Sequence, residues 1–217
     1  MKYLLIILPL SVFAMPNINL YDAKNAMLDY VNSGDYQLEQ WQAVKPALNY
    51  LIHHKPAAKA AIVFDIDETL LSNFQEMKKY NFGGNSEIFH ENEMLADAEL
   101  IPASYALYQQ ALAQGYKVFI ITGRGVMVRA ATIKNLERQG IKKYQSIEFW
   151  HGKTPKTVMQ YKSAARCAIA KMGYNIVINV GDQASDLIGS CAGAIRVKLP
   201  NPFYSIPANQ LKRSQAY

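Results

Sequence analysis

The chain has 217 residues, half of them apolar, and a formal charge of +6. That is about one domain's worth of chain with enough apolar residues for a core, which excludes a disordered segment. No run gathers five or six lysines and arginines, so a nucleic-acid footprint is excluded and the mild positive balance suits small anions.

Lys2 followed by the apolar residues 3–13 reads as an export signal, too short to span a bilayer. Val12-Phe13-Ala14 fits the small-x-small rule, with cleavage after Ala14. A buried amino-terminal helix is the competing reading. On the export reading the mature chain, residues 15–217, is expected in a periplasm or outside the cell. No cysteine near the cleavage site offers a lipid anchor, so no stable membrane anchor is expected.

Leu20, Ala23, Met27, Tyr30 and Val31 repeat at helical spacing, and Gly34-Asp35 ends that helix. Trp41, Val44, Leu48 and Leu51 continue the period, with Pro46 expected to break or restart it. This amino-terminal arm, residues 15–59, leads into an apolar strand at 60–65. Residues 72–100 mix Phe74, Tyr80, Phe82, Phe89 and His90 with Gly83-Gly84 and several acids. They read as a small helical insert that caps one end of a sheet.

From Pro102 onward helix and strand alternate. A helix at 102–114 stops at Gly115, and a strand follows at 116–121. The next helix, 126–139, is expected to face Val126, Ala130 and Ile133 inward. A strand at 146–150 precedes a helix carrying Val158, Tyr161, Ala165, Ala168, Ile169 and Met172. A strand at 176–180, a short helix at 184–190 and a last strand at 194–199 complete the pattern. Nearly all-apolar strands alternating with helices predict an α/β fold. It is a Rossmann-like three-layer sandwich on a mainly parallel sheet, with the cap insert and the helical arm attached. Cys167 and Cys191, both placed in helical patterns, are either a disulfide or two buried thiols. Cysteine and histidine are too few and too irregular for a zinc site.

Ligands of such sheets bind at the carboxyl ends of the strands. The first strand delivers Asp65 and Asp67, two carboxylates on one face of an extended segment, which resist joint ionisation unless a cation sits between them. A solvated acidic turn is the bland alternative. The second strand delivers Thr122-Gly123-Arg124 directly before a helix. Thr122 there is an N-cap or a phosphate contact, and Arg124 is a surface residue or a partner for the acids. The third delivers His151, whose role the sequence leaves open. The fourth delivers Gly181-Asp182, with Ser185-Asp186 one turn on. Lys162 lies on the preceding helix. If that helix starts at Thr154-Pro155, Lys153 and Lys156 become its rivals.

In this order the set resembles the haloacid dehalogenase (HAD) superfamily of phosphohydrolases. Asp65-Ile66-Asp67-Glu68-Thr69, Thr122-Gly123-Arg124, Lys162 and Gly181-Asp182-x-x-x-Asp186 look like its four motifs. Tyr161-Lys162-Ser163-x-x-Arg166, Gly181-Asp182-Gln183-x-Ser185-Asp186-Leu187 and Lys198-Leu199-Pro200-Asn201-Pro202 resemble the acid phosphatase branch, class B or subfamily IIIB. That branch includes plant vegetative storage proteins and bacterial secreted acid phosphatases. The resemblance covers residues 60–206.

The resemblance implies Asp65 as nucleophile and Asp67 as general acid and base. It implies Mg²⁺ held by Asp65, the Asp67 backbone carbonyl and Asp182. It places Thr122, Gly123 and Lys162 on the phosphate, with Asp186 and Arg124 behind them. The expected partners are a small phosphomonoester and a second copy of the chain in a homodimer. The alternative is a weak or inactive storage or binding protein on the same scaffold.

Overall fold

The computed structural model describes residues 19–152 and 157–207. The expected export signal and its cleavage site, and the segment holding Lys153, Thr154-Pro155 and Lys156, lie outside these residues.

Helix α1 (Leu20–Asn32) starts at Asn19, whose side chain accepts the Asp22 N–H. Gly34, at φ +89°, turns the chain into α2 (Asp35–His53), a left-handed conformation that glycine adopts without the Cβ penalty. Pro46 does not break α2, which runs through it unbroken. The proline is exposed, and so is Gln42, whose carbonyl loses its partner and meets solvent. The opposite face, Val44, Ala47 and Leu51, is fully buried and holds the helix on the core.

Next come β1 (Ala60–Phe64), β2 (Leu71–Ser72), α3 (Phe74–Lys79), α4 (Ser86–Leu95) and β3 (Glu99–Leu100). β2 and β3 pair antiparallel, so the excursion carrying α3 and α4 leaves and returns on one two-stranded root. The alternating body follows as α5 (Pro102–Gln114), β4 (Lys117–Gly125), a 3₁₀ turn (Val126–Val128), α6 (Arg129–Arg138), β5 (Ser146–Trp150), α7 (Val158–Lys171), β6 (Asn175–Gly181), α8 (Ala184–Leu187) and β7 (Ile195–Lys198).

The five long strands form one parallel sheet in the order β5-β4-β1-β6-β7. β1 is central and buried at every position. Ile62 and Phe64 pack with Val44, Leu51 and Leu107 of α2 and α5. Ala61 and Val63 face the other way, with Tyr161 and Ile169 of α7. Alternation along one strand thus supplies both cores of a three-layer sandwich.

Two expectations around β4 are corrected. The strand does not stop before Thr122 but continues to Gly125, because Gly125 still pairs with Trp150 of β5 after a register shift. Thr122 is therefore no helix N-cap. The helical face is also rotated, with Val128, Thr132, Asn135 and Leu136 buried and Val126 and Ala130 exposed.

Cys167 and Cys191 form a disulfide. Cys167 lies on α7, but Cys191 is not helical and sits in a turn at φ +57°. Closing a loop of this size removes unfolded-state entropy worth about 3 kcal/mol. Arg166 ties the same two segments. Its buried guanidinium donates to the carbonyls of Asp186 and Ile188.

Candidate active site

The chain leaves β1 with Asp65, whose amide still bonds the Val180 carbonyl of β6 at 3.0 Å. It then turns tightly, the Ile66 carbonyl accepting from the amides of Thr69, Leu70 and Leu71. The turn sends the two aspartates into different surroundings. The Asp65 carboxylate faces α7, where it accepts from Lys162 Nζ at 2.6 Å. The Asp67 carboxylate faces β4, where it accepts from Arg124 Nη2 at 2.8 Å and Nε at 3.1 Å, and from Asn73 Nδ2 at 2.9 Å.

Lys162 is buried on the second turn of α7, and its ammonium lies 2.8 Å from Asp186 as well. The helix begins at Val158 with Thr157 and Gln160 forming a capping box, which aims Lys162 at the sheet edge. Asp182 follows β6. Its Oδ2 accepts from Asn201 at 2.7 Å and from Gln183, and its Oδ1 from Thr69 Oγ1 at 3.4 Å. Gly181 has to be glycine, since a Cβ there would stand 2.3 Å from the Asp186 Cβ.

These groups line a cavity of about 460 Å³ together with Gly123, with Phe89, His90 and Glu93 of α4, and with Tyr204 and Ile206. Thr122 is buried beside it and is not part of the lining. Its hydroxyl accepts the Arg124 amide at 3.1 Å. His151 is outside the lining and pairs at the surface with Glu148 at 3.1 Å. Arg124 is a buried partner of Asp67 rather than a surface residue, and it lies 3.8 Å from Glu93 of α4.

Carboxylate oxygens of Asp65, Asp182 and Asp186 come within 4.8 Å of one another. Three buried acids share one lysine, Lys162, which leaves excess negative charge in a desolvated place. All-oxygen donors with that excess suit a hard divalent cation such as Mg²⁺. Burial pushes the Asp65 carboxyl well up, against the pull of Lys162, and Asp186 and Asp182 add to the rise. Burial and then Asp186 push Asp182 up to about 6. Asp67 goes the other way. Burial raises it, but Arg124 and Asn73 outweigh that and hold it below its ordinary value.

Asn73 and Tyr204 also belong here, and spacing along the chain does not single them out; Glu68, Ser185 and Asn201 belong too, and stand in the quoted motifs without a role. Ser185 is buried on the cavity wall, and its hydroxyl has no hydrogen-bond partner among the described residues. Glu68 is fully buried, and burial pushes it up to about 8.

Raised carboxyls stabilise the fold below their unfolded pKa and lose that contribution as pH rises through the folded one. For Glu68 and Asp182 the window runs from about 4 to 8. In chelator, denaturant unfolding should therefore show lower stability at pH 8 than at pH 5. Equal or higher stability at pH 8 contradicts these assignments.

The chain matches the HAD superfamily, subfamily IIIB (acid phosphatase) family over residues 14–207. Acid phosphatase 1 of Solanum lycopersicum is 39% identical over 153 residues, which are 66% of this chain and 58% of that protein. A stem 28 kDa glycoprotein of Glycine max is 32% identical over 187 residues, 83% of this chain and 74% of that protein. Vegetative storage protein 1 of Arabidopsis thaliana is 33% identical over 150 residues, 67% of this chain and 55% of that protein. The aligned region thus spans little more than half the length of the tomato and Arabidopsis relatives. The class C acid phosphatase of Bacillus anthracis has the same fold, with a TM-score of 0.70 at 24% identity over 87% of each chain. A sheet edge that gathers the four motifs and a match along nearly the whole described chain lead to one assignment: the protein belongs to the acid phosphatase family, subfamily IIIB of the HAD superfamily.

Proposed function

We propose that the protein is a Mg²⁺-dependent acid phosphatase, exported to a periplasm or beyond the cell, that hydrolyses small phosphomonoesters through an aspartyl-phosphate at Asp65. The observation that carries this reading is the meeting of Asp65, Lys162, Asp182 and Asp186 beside a separately held Asp67 in one cavity.

Asp65 attacks phosphorus in line, and the bond from phosphorus to the ester oxygen breaks. The proton on Asp67 passes to that oxygen and releases the alcohol. Water then attacks the phosphorus of the aspartyl-phosphate and gives its proton to Asp67. The bond from phosphorus to Asp65 breaks, and phosphate leaves. Gly123 and Lys162 form the phosphoryl-binding end, with Thr122 buried behind them, Asp186 orients Lys162, and Arg124 orients Asp67. Asp65, Asp182 and the Asp67 carbonyl would hold the cation, which supplies charge neutralisation. Arg124 and Asn73 favour the ionised form of Asp67, so its proton donation gains as pH falls, whereas attack needs Asp65 ionised and gains as pH rises. The insert carrying α3 and α4 acts as a small cap, since α4 supplies one wall of the cavity.

The test is hydrolysis of a chromogenic phosphate monoester. Turnover is expected with Mg²⁺, falling about 10²-fold or more in chelator and returning when Mg²⁺ is restored. A second reading, a storage or binding protein on this scaffold, is favoured by the similarity to stem glycoproteins and vegetative storage proteins. No turnover of any ester, with the fold intact, would establish it.

A further inference from the structure

Glu68 is a buried carboxyl that the reaction above does not use. Burying a carboxyl without a cation is costly, and an apolar side chain would fill the space more cheaply. Its backbone stands at φ +48°, in the left-handed region that a side chain of this kind rarely enters. Its two oxygens reach three elements. Oε1 accepts the Asn73 amide at 2.6 Å, at the start of the insert. Oε2 accepts from Ser72 Oγ of β2 at 3.1 Å and from Tyr36 Oη of α2 at 3.1 Å.

Asn73 carries the connection onward. It occupies the N-cap position of α3, where an asparagine ordinarily caps its own helix, yet its side chain makes no cap bond. Nδ2 donates instead to Asp67 Oδ1 at 2.9 Å, the same oxygen that takes Arg124 Nη2. Ser72 Oγ accepts the Phe74 amide in its place, at 3.2 Å. The Tyr36 ring packs against Phe203, which packs against Phe74, and the next residue, Tyr204, forms cavity wall.

We propose that Glu68 is a positioning residue: through Asn73 it fixes the Asp67 carboxyl between the root of the insert and the amino-terminal arm, at the place where a proton must pass to the leaving oxygen. This rests on the phosphatase reading. Its signature is chemical. A leaving oxygen that is stable as an anion needs no proton, whereas an alkoxide does. In kcat/KM, which reports formation of the aspartyl-phosphate and not its breakdown, loss of the position of Asp67 must therefore slow alkyl esters far more than nitrophenyl esters, while a loss of packing slows both alike.

The test compares an alkyl phosphate with 2,4-dinitrophenyl phosphate in wild type, Glu68→Leu, Glu68→Gln and Asn73→Ala. In Glu68→Leu and in Asn73→Ala kcat/KM for the alkyl ester should fall about 10²-fold, the cost of a displaced catalytic group, with kcat/KM for the dinitrophenyl ester nearly kept. Glu68→Gln retains an acceptor for the Asn73 amide, and the hydroxyls of Ser72 and Tyr36 can turn to accept. It should restore the wild-type ratio of the two rates. Asn73→Ala removes only a partly buried side chain, so it stands as the test even if Glu68→Leu fails to fold. An equal fall in kcat/KM for both esters in Asn73→Ala overturns the proposal. A wild type that hydrolyses neither ester overturns the phosphatase reading itself, and this proposal with it.

Discussion

Asp65→Asn should abolish turnover, by roughly 10⁴–10⁶-fold, while leaving the fold intact. The amide keeps the shape of the carboxyl but offers no nucleophilic oxygen for phosphorus. Stability should change little, because Lys162 retains Asp186 at 2.8 Å as a counter-charge. The substitution also removes one of three crowded acids, which offsets the lost bond to Lys162. Thermal unfolding in chelator, run beside the rate assay, separates the two effects. A variant that turns over near the wild-type rate contradicts the assignment of Asp65. One that is inactive because it is unfolded contradicts the account of the charges around it.

Lys162→Met should be damaging twice. The ammonium bonds Asp65 at 2.6 Å and pairs with Asp186 at 2.8 Å, with all three groups buried. Removing it leaves buried carboxylates without their cation, at a cost of about 3–5 kcal/mol. It also removes charge aimed at the phosphoryl group, worth about 10²–10³-fold in rate. The pH dependence identifies the cause. Lys162 pulls Asp65 down against burial, so its loss raises Asp65 further above the unfolded value. A raised carboxyl is stabilising below the unfolded pKa and loses that contribution as pH rises. The stability deficit of the variant should thus be largest near neutrality and shrink toward pH 5, as read by denaturant unfolding. A deficit independent of pH would point to lost packing instead.

The parts of this site that the sequence reveals are those delivered by strand ends. Residues 60–65 and 146–150 read as strands because they are largely apolar, and β1 and β5 are observed there. A parallel sheet then forces Asp65, Thr122-Gly123-Arg124 and Asp182 to one edge. The sequence leaves Lys162 with rivals because it leaves the helix start open, and the Thr157 capping box starts the helix at Val158.

What local pattern missed was decided by tertiary pairing. Thr122-Gly123-Arg124 reads as lying past the strand end, directly before a helix, yet pairing of Gly125 with Trp150 keeps it in the sheet. Pro46 reads as a break, yet α2 survives because the ring faces solvent and the other face is held in the core. Cys191 reads as the continuation of a helix over 184–190, yet α8 ends at Leu187 and Cys191 falls in the turn beyond it. Glu68 bonds Tyr36, 32 positions away, and Asn201 bonds Asp182, 19 positions away. Neither separation carries a period that could be read in advance.

The central claim is that a phosphoryl group rests on Asp65 during turnover. Acid quenching of the working enzyme, followed by peptide mapping, tests it most directly. The account predicts a phosphoryl group on the peptide that contains Asp65 in the wild type, and none on that peptide in Asp65→Asn. A phosphoryl group found on any other peptide would contradict it.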